Sequence, residues 1–95
     1  MIPNISVTEF MKLSNPNIID LRAIQSYNNN HIPNAKNIPF EKLISRPSDY
    51  LKKEETYYIY CMYGKKSISV CKILNNLGYH VVNINGGYES WILEQ

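Results

Sequence analysis

Three short apolar runs, NIIDL (Asn17–Leu21), TYYIYC (Thr56–Cys61) and HVVNI (His80–Ile84), are separated by stretches with helical spacing. This alternation restricts the fold more than any other feature of the chain. Runs of five or six residues rich in Ile, Val and Tyr read as buried strands. A shorter fourth strand fits around Lys36–Ile38, ended by Pro39. Between the strands, Val7–Leu13 carries Phe10, Met11 and Leu13 behind a cap at Ser6 or Thr8. Lys66–Leu77 places Ile68, Cys71, Leu74 and Leu77 at helical intervals, with Val70 and Ile73 beside them and Gly78 where a helix stops. A last helix holds Tyr88, Trp91 and Ile92 after Gly86 and Gly87. Pro47–Glu55 reads as a solvated connection, with the charge run Lys52-Lys53-Glu54-Glu55. Strands that alternate with helices are joined by crossovers, which makes the sheet parallel and covers both of its faces. The expected architecture is therefore α/β, in one domain spanning residues 1–95.

Such sheets bind ligands beyond the carboxyl ends of their strands, and Cys61 stands at one of those ends. It opens the stretch CMYGKKS, Cys61–Ser67, which leads into a helix. The first N–H groups of a helix have no internal partner and carry partial positive charge. A loop curling toward them adds more N–H groups and forms an anion cradle. Gly64 lets the backbone turn, and Lys65 and Lys66 add full charges. A thiolate is favoured over a thiol in that setting, and the thiolate is the nucleophile. Ser67 is placed to donate a hydroxyl hydrogen bond to a second, outer sulfur. Cys71, on the apolar stripe of the helix, is expected to pack in the core.

The composition narrows the class further. A net charge of +2 dispersed along the chain gives no footprint for nucleic acid. Two cysteines do not make a disulfide framework. The N-terminal MIPNISVTEFMKL lacks the basic start, apolar stretch and cleavage site of a signal peptide. No apolar run approaches the roughly 18 residues of a membrane helix. These features lead to an expected cytoplasmic location, where thiols stay reduced, and to no membrane partner. Of the two histidines, His31 precedes Ile-Pro in a turn and His80 heads a strand, so no metal site is expected.

Four segments together resemble the rhodanese-like family, in its order and over nearly the whole chain. IIDLR is similar to the family's Asp-x-Arg signature, at Asp20 and Arg22. HIPNAKNIP (His31–Pro39) resembles its His-Ile-Pro-Gly-Ala-x-Asn-Ile-Pro. YCMYGKKS is similar to the active-site loop Cys-x-x-Gly-x-Arg-Ser, and LGYHVVNINGGYESW to the closing strand, Gly-Gly turn and tryptophan-bearing helix. The resemblance implies a five-stranded parallel sheet with helices on both faces, its fifth strand near Ile5. It also implies thiosulfate sulfurtransferase chemistry through a Cys61 persulfide. The main-chain N–H groups of Met62, Tyr63, Gly64, Lys65, Lys66 and Ser67 would bind the substrate, and Asp20 and Arg22 would tie the strand end to its surroundings. The implied partners are a small anionic sulfur donor and a thiol acceptor, including a thioredoxin-like one, with no cofactor.

The chain departs from the family pattern at several positions. Lys66 replaces arginine, keeping the charge and losing the bidentate fork. Asn30 and Asn34 stand where glycine is common, and asparagine tolerates left-handed backbone. Ser26 replaces an acidic residue before Tyr27, removing an ion-pair partner for Arg22. His31 and Trp91 are expected to pack rather than react. Two other readings compete. A phosphatase or arsenate reductase of related fold needs arginine at position 67, which is Ser67. A non-catalytic interaction module would have no use for Cys61 and its cradle.

Overall fold

The computed structural model describes residues 2–95. Five strands, β1 (Asn4–Ile5), β2 (Asn17–Asp20), β3 (Lys36–Asn37), β4 (Thr56–Tyr60) and β5 (His80–Ile84), form one sheet in the order β1-β5-β4-β2-β3. Every pairing is parallel. The helices are α1 (Val7–Phe10), α2 (Ile24–Asn29), α3 (Phe40–Ser45), α4 (Lys65–Asn76) and α5 (Gly87–Leu93), with a short 3-10 turn at Pro47–Asp49. Among the described residues, no helix is long and apolar enough to cross a membrane.

The two-residue period of the strands divides the core between the two faces. In β4 and just beyond it, Tyr57, Ile59 and Cys61 face one side, where Leu43 of α3 and Val70, Cys71 and Leu74 of α4 cover them. Tyr58 and Tyr60 face the other, against Val7 and Phe10 of α1 and Tyr88 and Trp91 of α5. Leu43, Ile59, Cys71 and Leu74 are wholly buried. Each fully buried aliphatic side chain contributes about 1.5–3 kcal/mol.

The connection from β2 leads outward to β3, and the connection from β4 leads the opposite way to β5. The loops leaving β2 and β4 therefore diverge, and a crevice opens between them at the carboxyl edge of the sheet.

Several elements differ in extent from the sequence reading. Ser6, not Thr8, caps α1: its Oγ accepts from the Glu9 N–H at 3.1 Å, while Thr8 Oγ1 donates to Glu94 Oε1 at 3.0 Å. Helix α1 ends at Phe10 rather than Leu13: beyond it the chain tightens into turns, with the Lys12 N–H on Glu9 O at 3.1 Å and the Leu13 N–H on Phe10 O at 3.0 Å, before Asn15 takes a left-handed φ of 50°. Helices α2 and α3 are additions. Each has six residues and no side-chain cap, and they bury no residue and Leu43 alone, respectively. The connection from Pro47 to Glu55 includes the 3-10 turn and one anchor, the buried Leu51.

Candidate active site

Cys61 leaves the central strand and is enclosed by its own loop. Gly64 takes a φ of +96°, a left-handed conformation that turns the chain back into the first turn of α4. The turn brings the Gly64 N–H to 3.2 Å and the Ser67 N–H to 3.4 Å from Cys61 Sγ, with Ser67 Oγ at 3.5 Å. Burial alone would push the thiol up. The Ser67 hydroxyl and the N–H groups of Ser67, Gly64 and Lys66 outweigh it, so the Cys61 pKa lies below the ordinary thiol value. The side-chain charges of Lys65 and Lys66 are not among these causes. Both side chains are exposed, and Lys66 Nζ sits 4.0 Å over the Phe40 ring. The cradle works through aligned amides, and the lysines charge the rim.

Cys61 is 7% exposed, and that small opening faces a groove of about 520 Å³. Leu21, Arg22, Phe40, Met62, Tyr63 and Lys66 form much of its wall. The main-chain N–H groups of Met62 and Tyr63 reach neither Sγ nor a backbone carbonyl of another described residue. Their amides are left for a bound group. Cys71 lies in the core with no exposure, and burial, then the nearby Cys61, push its thiol up to about 12. Both cysteines are free.

Asp20 and Arg22 brace the crevice from β2. Asp20 is fully buried and accepts from the Arg22 N–H at 2.8 Å, from Arg22 Nη2 at 2.8 Å and from the Tyr60 hydroxyl at 2.5 Å. Arg22 Nη2 also donates to the Asn30 carbonyl at 2.6 Å, and the guanidinium stacks 4.0 Å over Tyr88. One carboxylate with several donors is a satisfied buried pair. It fixes the β2 loop beside the groove without a further acid at Ser26. His31 stacks on Tyr27 at 3.8 Å, and its Nδ1 lies 2.8 Å from the Tyr27 carbonyl, which locks a turn. Asn34 takes the left-handed conformation expected of it, with φ of 73°, whereas Asn30 is extended at φ of −170° and has no need of glycine there. Trp91 is half-buried and meets Phe10 edge-on at 6.3 Å.

The sequence reading left three contributors without a role. Phe40 forms a wall of the groove and a seat for Lys66. Gly87 lies against the loop: the N–H groups after it bond Cys61 O (from Tyr88, 2.9 Å) and Met62 O (from Glu89, 3.0 Å). Asn83, fully buried in β5, contacts Ser67 Oγ through its Oδ1 at 2.5 Å. The signal for Asn83 was present in HVVNI, as a polar residue flanked by apolar ones in the strand interior, whereas His80 stands exposed at its start.

The doubly wound α/β domain thus surrounds one sulfur with main-chain amides at the floor of an open crevice. The family model for the rhodanese-like domain matches residues 6–94, and the chain belongs to that family. It is 33% identical over 91 residues to thiosulfate sulfurtransferase GlpE of Coxiella burnetii, covering 95% of this chain and 84% of that protein. It is 32% identical over 88 residues to adenylyltransferase and sulfurtransferase uba4 of Ogataea parapolymorpha. That match covers 92% of this chain and 23% of the larger protein, so the chain spans less than a quarter of that relative's length. The crystal structure of a rhodanese-like domain protein from Staphylococcus aureus matches with a TM-score of 0.82 at 30% identity, over 94% of this chain and 90% of that one. Sulfurtransferases are thus among its relatives.

Proposed function

We propose that the chain transfers sulfane sulfur through a persulfide on Cys61. The Cys61 thiolate attacks the outer sulfur of thiosulfate or of a persulfide donor. A new S–S bond forms, the donor's S–S bond breaks, and its electron pair leaves with sulfite or the donor thiolate. The terminal sulfur of the Cys61 persulfide, itself an anion, then passes to a thiophilic acceptor. Cyanide leaves as thiocyanate, a thiol acceptor becomes a persulfide, and Cys61 returns as the thiolate. Charge balances in both halves, and every bond broken is a sulfur–sulfur bond, so the cycle calls for no metal or redox cofactor. Free Met62 and Tyr63 amides suit the outer sulfur, and the Lys65 and Lys66 charges suit an anionic donor. The need for a reduced nucleophile fits a cytoplasmic setting.

The observation that carries this reading is the convergence of the Gly64 and Ser67 amides on Sγ, in a residue that still opens on a groove. Incubation with thiosulfate and cyanide should yield thiocyanate, and Cys61→Ser should abolish it while leaving the fold intact by circular dichroism. Turnover retained in that variant would remove the assignment.

A further inference from the structure

Buried polar side chains in a small core need a reason, because each must find hydrogen-bond partners that water would otherwise supply. Asp20, Ser67 and Asn83 are the buried polar or charged residues among those described. Arg22 and Tyr60 account for Asp20. Asn83 lies in the interior of the sheet, where an apolar residue would pack without such demands.

Its contacts form a continuous line. Ser67 Oγ is 3.5 Å from Cys61 Sγ and 2.5 Å from Asn83 Oδ1. Asn83 Nδ2 is 2.8 Å from Oδ1 of Asn4, its register partner on the edge strand β1, and Asn4 is exposed. The donors run outward: thiol to Ser67, hydroxyl to Asn83, amide to Asn4. That direction suits a neutral sulfur, which has a hydrogen to give. An ionised sulfur has none and must receive one. Ser67 has a single hydrogen, and the Gly64 carbonyl at 3.2 Å and Asn83 Oδ1 both attract it.

The two ends of a carboxamide have the same shape. Turning the Asn4 and Asn83 amides over leaves every heavy atom in place. Asn4 then donates to Asn83, Asn83 donates to Ser67 Oγ, and the Ser67 hydrogen is released toward the sulfur. We propose that Asn4, Asn83 and Ser67 form a reversible hydrogen-bond relay whose direction follows, and helps set, the charge on Cys61. Asn83 and Asn4 are positioning residues, since neither touches the sulfur. Asparagine suits both places because it both donates and accepts. Aspartate only accepts, and leucine does neither.

The inference rests on Cys61 acting as a thiolate but not on sulfur transfer, so it is tested without a sulfur donor. Asn4→Asp puts a carboxylate on an exposed edge, where no charge is buried. That carboxylate can only accept, which holds Asn83 with its oxygen toward Ser67, the direction that suits the thiol. Iodoacetamide alkylation of Cys61 is followed against pH by peptide mass spectrometry; Cys71, with its thiol pushed up to about 12, stays silent. The other groups facing the site are the Arg22–Asp20 pair, Glu41 of α3, Lys65 and Lys66 of α4, Tyr63, and Cys71 behind it. All are common to every variant compared.

Below the midpoint, Asn4→Asp should alkylate roughly tenfold more slowly than the parent chain, the scale of one hydrogen bond to a charged group. In a Ser67→Ala background, which cuts the line, the same change should have less than about a twofold effect, what remains being screened charge at a distance. An equal effect in both backgrounds would assign it to through-space charge and overturn the relay. No effect in either would overturn it also. A chain that makes no thiocyanate yet shows the Ser67-dependent effect would retain the relay and lose the sulfurtransferase reading.

Discussion

Gly87→Ala tests whether helix α5 holds the Cys61 loop in shape. A Cβ added at Gly87 would stand 2.2 Å from Cys61 O, 2.9 Å from Met62 O and 3.0 Å from Gly64 N, all backbone atoms of the cradle. Relieving the closest contact requires the loop and α5 to separate by about 1 Å, given ordinary carbon–oxygen contact distances. The two hydrogen bonds that join them, Tyr88 N–H to Cys61 O and Glu89 N–H to Met62 O, then stretch or break. Each contributes about 1 kcal/mol. The left-handed backbone, with φ of +61°, adds about 1 kcal/mol for any residue with a Cβ. The expected loss of stability is roughly 2–4 kcal/mol. Moving the loop by about 1 Å should also lower thiocyanate formation by on the order of 100-fold. Gly78→Ala is the matched control. Gly78 has a φ of +94°, but its added Cβ would meet only the Lys53 side chain, at 3.6 Å. It should lose about 1 kcal/mol and keep its activity. Urea unfolding and the thiocyanate assay on both variants decide the matter. If Gly87→Ala matched Gly78→Ala in stability and rate, the supporting role of the Gly-Gly turn would be refuted.

Two further predictions concern charge at the groove. Lys66 lies on the rim over Phe40, whereas Lys72 is exposed elsewhere on α4 and forms no part of the groove wall. Lys66→Ala should raise the thiosulfate KM several-fold, with an effect that shrinks as salt is added, while Lys72→Ala leaves it unchanged; equal effects would make the rim charge incidental. Sulfur loading should also follow the thiolate fraction. The Cys61 pKa is lowered, so the rate holds through the ordinary thiol range and falls only as pH drops through the lower midpoint. Ser67→Ala should move that fall to higher pH, and an unmoved profile would show that the hydroxyl does not act on the sulfur.

Much of the candidate site's geometry was legible because it is local. The strand that ends just before Cys61, the glycine three residues after that cysteine, and the helix start, read at Lys66 and found at Lys65, lie within one short stretch. Their types dictate an anion cradle without reference to the rest of the fold. The alternation of strands and helices likewise led to the parallel sheet. What the sequence concealed depends on partners far along the chain. Gly87 and Asn83 act on a loop some twenty residues away, through contacts that exist only after β5 and α5 pack beside β4. The short helices α2 and α3 were illegible for a different reason. With six residues each, no caps and at most one buried position, they present no period to read. The lysines were assigned part of the thiolate's stabilisation because sequence proximity was the available guide. Their side chains point outward, and the amides beneath them do that work.

The most direct test of the account is the mass of Cys61 after exposure to a sulfur donor. The protein is treated with thiosulfate, or in parallel with a small persulfide, then desalted, alkylated without reductant and mapped by peptide mass spectrometry. One additional sulfur atom on Cys61, none on Cys71 and none on either residue's peptide in Cys61→Ser is the predicted result. An unmodified Cys61 with both donors, or a sulfur carried on Cys71 instead, would contradict it.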